Sequence, residues 1–95
     1  MHSALFVAQL PRMPHEWYVF LSDTGKKLKN EKHAQRLSEN VWLLNFEAAP
    51  SDLSWLVSTA ERLGIPYGIL PFDAEPRWLP AGFDPKTIQV RNVSP

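Results

Sequence analysis

The stretch VWLLNFEAAPSDLSWLVSTAERLGIPYGILPFD, residues 41–73, limits the fold of this chain more than any other. Its middle is a helix marked at both ends. Ser51 can accept a backbone N–H of the first turn, Asp52 favours the positive end of the helix dipole, Gly64 stands where a left-handed residue closes a helix, and Pro66 blocks continuation. A helix over residues 52–63 is predicted. Leu53, Leu56, Val57, Ala60 and Leu63 recur at the i, i+3, i+4, i+7 spacing and form its buried stripe.

The flanks read as strands. Residues 41–47, VWLLNFE, are apolar at both alternations apart from Asn45, the pattern of a strand covered on both faces. Residues 67–73, YGILPFD, carry Pro71, which has no amide donor and belongs at an edge or a strand end. Strand, helix and strand with short connections make a βαβ unit, whose right-handed crossover leaves its two strands parallel.

Upstream, residues 4–10 (ALFVAQL) and 17–22 (WYVFLS) are short runs rich in strand formers, separated by the proline-bearing loop PRMPHE. An antiparallel pairing of the two is expected. The polar stretch TGKKLKNEKHAQR, residues 24–36, shows no continuous period and reads as a loop with one or two helical turns between Glu31 and Ser38. Downstream, residues 87–93 (TIQVRNV) alternate imperfectly and mark a half-exposed strand at best. The fold class expected is α+β: a four- or five-stranded mixed sheet containing a βαβ unit, with one main helix packed on one face.

Ninety-five residues fit a single domain, 1–95, since either half would be too small for a core of its own. One helix cannot cover both faces of such a sheet. The C-terminal segment, the short helical turn before Val41 or another protomer must contribute, so a protein partner or a homodimer is expected.

The chain has no cysteine, which removes disulfides, thiolate metal sites and a cysteine nucleophile together. The apolar N-terminal run has no basic residues before it and is followed by prolines rather than a cleavage site, and no run approaches the ~20 apolar residues of a membrane helix. A cytoplasmic protein without membrane attachment is the expectation. The three histidines, His2, His15 and His33, are scattered, and no metal-ligand spacing or glycine-rich phosphate loop occurs. Neither a catalytic residue nor a metal or cofactor is assigned, and no stretch carries the motif signature of a known small-domain family.

Three sets of residues remain. On the helical wheel Trp55 falls opposite the apolar stripe, beside Arg62, and the proline-stiffened segment EPRWLPAGFDP presents Trp78 and Phe83. Aromatics beside an arginine have the composition of interface anchors, so Trp55, Arg62, Trp78 and Phe83 are the expected partner-binding residues. Lys26, Lys27, Lys29, Lys32 and Arg36 are half of the ten basic residues and give the stretch 24–36 about +4 in a chain of zero net charge. They would be the contact for nucleic acid or an acidic partner, although no aromatic is interleaved with them for base stacking. Asp73 and Glu75 follow a strand of the βαβ unit, where ligands dock in such folds, and are the residues a small enzyme would use. The reading that best fits is a non-enzymatic interaction module of the inhibitor, adaptor or immunity type. A nucleic-acid-associated protein comes second and an enzyme third.

Overall fold

The computed structural model describes residues 1–28 and 32–79. The elements run β1 (Ser3–Ala8), α1 (Pro14–Gly25), β2 (Ala34–Ser38), β3 (Val41–Asn45), α2 (Pro50–Leu63) and β4 (Tyr67–Phe72). The four strands form one sheet in the order β2-β3-β1-β4, and every neighbouring pair is antiparallel. Two β-α-β units interlock: β3 lies between β1 and β2, and β1 lies between β3 and β4. This β-α-β-β-α-β arrangement is the ferredoxin-like split-βαβ topology.

The class is α+β, as the sequence predicts, but the sheet is antiparallel rather than mixed and carries two helices rather than one. The expected βαβ unit is present in split form. β3 and β4 share a direction, yet β1 intervenes and supplies antiparallel neighbours to both. The fifth strand predicted over residues 87–93 lies outside the described residues.

Residues 17–22, expected as a strand, are the middle of α1. Pro14 starts the helix, where its missing N–H costs nothing, and Glu16 lies in the first turn. From there Trp17, Phe20 and Thr24 point inward, with Leu21 packed beside them, at i, i+3, i+7 and i+4. The buried Thr24 hydroxyl donates to the Phe20 carbonyl at 2.8 Å, which satisfies it within the helix. Strand-forming composition is a weak preference, and burying one aromatic face outweighs it. Because this segment is helical, the expected pairing of β1 with it does not exist.

Residues 34–38, expected as loop and helical turn, are the edge strand β2. A two-residue turn at Glu39 and Asn40 joins it to β3, and a register shift between Arg36 and Ser38 bulges it. α2 also starts earlier than predicted: Ala49 is the N-cap and Pro50 opens the helix, so Ser51 lies inside the first turn and caps nothing. Its end is as predicted. Gly64 is left-handed at φ 68°, and the Ile65 N–H reaches the Ala60 carbonyl at 2.8 Å to close the last turn.

Both helices pack on the same side of the sheet. Phe6 of β1 and Trp42 and Leu44 of β3 meet Trp17 and Phe20 of α1 and Leu53, Leu56 and Ala60 of α2 in one cluster. The Phe6 ring lies 6.4 Å from Phe20, 6.0 Å from Trp42 and 5.4 Å from Tyr67, and Trp17 stacks on Phe20 at 4.9 Å. Phe6 is the hub of an aromatic core that bonds the sheet to α1.

Candidate interaction surface

Strand register assigns every sheet residue to a face, because directly opposed residues of antiparallel strands point the same way. Phe6 opposes Trp42, and Ala4 opposes Leu44, on the helix-covered side. The alternate residues point away. Leu5 opposes Leu43 on one side and Leu70 on the other, Val7 opposes Val41, and Ser3 opposes Phe72. Leu5, Val7, Val41, Leu43, Leu70 and Phe72 therefore share the other face, and none of them belongs to the core cluster.

No described helix lies on that face. Val7 is 39% exposed and Leu70 is 56% exposed. Around the six apolar side chains the register places Ser3, Gln35, Ser38, Asn45 and Gly68, so no ionisable side chain stands at any of these positions. A contiguous apolar surface without charge is unusual on a small domain and marks a contact surface.

Each edge of the sheet resists extension by a further strand. The Gln9 N–H donates to the Pro66 carbonyl at 2.8 Å, which fixes the pairing parity of β1 and β4. Gly68, Leu70 and Phe72 then bond inward, and Pro71 turns its donorless nitrogen to the outer edge. At the opposite edge β2 is five residues long and bulged. Short, bulged or proline-bearing edges are the usual protection against edge-to-edge pairing. The exposed apolar surface is thus the face and not the rim.

The anchors expected from the sequence lie elsewhere. Trp55 is half-exposed on the outer side of α2, and the Lys27 ammonium sits 4.4 Å above its ring, a cation–π contact worth about 0.5–1 kcal/mol at such a site. Arg62 pairs with Asp23 of α1. These two contacts clasp α1 to α2, and they account for an aromatic on the polar side of the helix. Trp78 is half-exposed in the segment after β4, next to the strongly exposed Leu79. Phe83 lies outside the described residues.

The basic stretch is divided among elements. Lys26 and Lys27 are exposed at the C-terminal end of α1, where cations suit the helix dipole, and Lys32 is exposed in the turn before β2. Arg36 lies on β2 with its guanidinium 5.4 Å from the Trp42 ring and one nitrogen 2.8 Å from the Glu39 carbonyl. Burial lowers its pKa, with the Glu39 charge opposing. Lys29 is outside the described residues. Arg36 shares the helix-covered face with Trp42, so it does not border the open apolar surface.

At the end of the sheet where β1 begins, His2 makes a contact that sequence spacing does not foretell. Its Nδ1 is 2.6 Å from the Ser3 hydroxyl, and its Nε2 is 4.0 Å from a Glu47 carboxylate oxygen. This trio has the residue types of a nucleophilic triad but not its geometry. The carboxylate is beyond hydrogen-bond distance, Ser3 is 4% exposed, and the Phe46 and Glu47 amides that could receive an oxyanion both donate to the His2 carbonyl. Asp73 and Glu75 are exposed on the segment after β4. Among the described residues no three His, Asp or Glu side chains converge to hold a metal ion.

The same end holds Asp52, buried in the first turn of α2. Desolvation raises its carboxyl pKa, and the charge of His33 opposes that rise. A raised value means that folding favours the protonated acid. Its stabilising contribution is complete below the unfolded carboxyl pKa and disappears as pH rises through the folded one. Asp52→Asn is therefore expected to raise the melting temperature at about pH 7, with the gain closing by about pH 4, near the ordinary carboxyl range. Thermal unfolding of both chains across that interval checks it.

A shallow depression of about 340 Å³ lies beyond the other end of β1, where Val7, Gln9, Asn40 and Tyr67 meet. Its polar groups are largely committed: the Asn40 side-chain amide donates to the Ala8 carbonyl at 2.8 Å, and the Tyr67 hydroxyl bonds Glu61 at 2.8 Å, which raises the phenol's pKa. Val7 and Gly68 connect this depression to the open face.

No helix among the described residues is long and apolar enough to cross a membrane. The described residues form a split-βαβ sheet with one helix-covered face and one face whose described positions are apolar or uncharged. No family model, curated protein or solved structure matches the chain.

Proposed function

We propose that this chain is a non-enzymatic protein-interaction module whose contact surface is the open face of its sheet. One observation carries the reading: six apolar side chains, Leu5, Val7, Val41, Leu43, Leu70 and Phe72, share a face that no described helix covers and whose described strand positions bear no charge. Such a surface gains by leaving water, and it gains nothing from a charged or small polar ligand. Trp55 and Arg62 are engaged between the helices, so the contact moves from the expected anchors to the sheet. Trp78, half-exposed after β4, would extend it, while Phe83 lies outside the described residues. The absence of cysteine fits a cytoplasmic setting.

The nucleic-acid alternative fits this geometry poorly. Four-stranded sheets of this topology that bind single-stranded RNA stack bases on aromatics of the open face. Here the open positions of β1 and β3 are Leu5, Val7, Val41 and Leu43, while Phe6 and Trp42 point into the core. On these two central strands aliphatic side chains offer no stacking partner, and the aromatic that the register places on this face, Phe72, lies at the end of the edge strand β4. An enzyme built on Asp73 or Glu75 has no converging second group to support it among the described residues.

Fluorescence of a hydrophobic dye tests the reading. The folded protein should enhance the dye, and Leu43→Lys should remove most of the enhancement while the far-ultraviolet circular dichroism stays unchanged. Enhancement that survives Leu43→Lys, or that is lost with Trp55→Ala instead, contradicts it.

A further inference from the structure

We infer that the occupant of the open sheet face is a second copy of this chain, packed face to face about a two-fold axis. The inference rests on the interaction reading above and names its partner. Three features of the face favour self-association. Its described strand positions carry no ionisable side chain, so a copy brought against itself meets no like-charge repulsion there and leaves no charge of theirs buried. A two-fold contact requires a surface complementary to itself, and a sheet face whose centre is apolar, with Ser3, Gln35 and Asn45 toward its margins, meets that requirement. Pro71 at one edge and the bulged β2 at the other disfavour a continuous sheet across the dimer, which leaves stacking as the mode of contact.

Leu5 and Leu43 oppose each other on the two central strands, so their side chains occupy the middle of the face. Two copies stacked with aligned strands bring the two Leu5–Leu43 pairs together near the axis, and Val7, Val41 and Leu70 surround them. The size of the face sets the strength of the contact. Four strands ~4.8 Å apart, two of six residues and two of five at ~3.4 Å each, make a face of roughly 19 by 19 Å, or ~350 Å² in projection. Stable interfaces begin near ~600 Å² from each partner. Side-chain relief brings the contact toward that lower limit and not beyond it, so the dimer is a dissociable one with Kd on the order of micromolar to tens of micromolar.

Sedimentation equilibrium of the full chain tests this. The weight-average mass should climb from the 10.9 kDa of one chain toward twice that value as the protein is concentrated. The rise should fall between about 1 and about 500 µM. Leu43→Lys places like charges against each other at the axis and should weaken dimerisation at least about 100-fold. Leu43→Gln, a milder change on the same face, guards against loss of fold and should weaken it at least about 10-fold. A mass that stays at one chain throughout, or a dimer indifferent to both substitutions, overturns the inference. If the chain stays monomeric but its dye enhancement is still removed by Leu43→Lys, only the choice of occupant fails. If neither dimer nor dye signal is found, the interaction reading fails as well.

Discussion

Phe6→Ala should lower the unfolding free energy by about 3–5 kcal/mol, the range for removing a large aromatic from a packed core. Phe6 is fully buried and its ring faces Phe20, Trp42 and Tyr67, so the substitution removes contacts to α1, β3 and β4 together. The loss has three parts: the transfer of the ring to water in the unfolded chain, the cavity left among three aromatics that cannot collapse onto an alanine, and the edge and stacking interactions of the rings. A domain of this size is stable by only about 5–15 kcal/mol, so the variant should be largely unfolded at modest urea concentration. Urea titration followed by tryptophan fluorescence reads the effect. A loss near 1 kcal/mol would mean that α1 does not rest on β1 as described.

The second large effect is a contrast between neighbours on β3. Leu44 is fully buried beneath the helices, whereas Leu43 faces away from them. Leu44→Ala should cost about 2–5 kcal/mol, and Leu43→Ala, measured at concentrations that favour monomer, about 1 kcal/mol or less. The two substitutions delete the same atoms from adjacent residues of one strand, so composition and strand propensity cancel and only the covering of each face differs. Equal costs, read from paired urea titrations, would mean that both faces are covered.

Much of this fold was legible in the chain. α2 carries its stripe and its glycine stop locally, and β1, β3 and β4 are apolar runs bounded by proline or turn residues. α1 was not legible by composition, since Trp17, Tyr18, Val19 and Phe20 are all strand formers. Its signs were Pro14 at the first position and the 17, 20, 21, 24 spacing, in which Thr24 takes an inward place by bonding its own backbone. β2 had no sign of its own. An edge strand of five residues with Gln35 and Arg36 in it is made a strand by pairing to β3.

The location of the contact surface depends on α1. Apolar residues at both alternations of β3 correctly indicated a central strand, but two-sided covering does not follow from such a pattern. A strand over residues 17–22 leaves the sheet with one helix and Trp55 without an intramolecular partner, which makes it read as an anchor. With α1 in place, Trp55 and Arg62 find Lys27 and Asp23, and the uncovered apolar area moves to the opposite side of the sheet. That both helices share one side is a property of the topology, since each crossover passes over the same face, and no local pattern records it.

Amide NMR spectra recorded from dilute to concentrated protein test most directly whether the open face is where this molecule makes contact. The account predicts concentration-dependent shifts centred on Leu5, Val7, Val41, Leu43 and Leu70, with the amides around Trp55, Arg62 and Lys27 unmoved. Shifts centred on the helices would contradict it, and spectra that do not change with concentration would overturn the second copy as the occupant of that face.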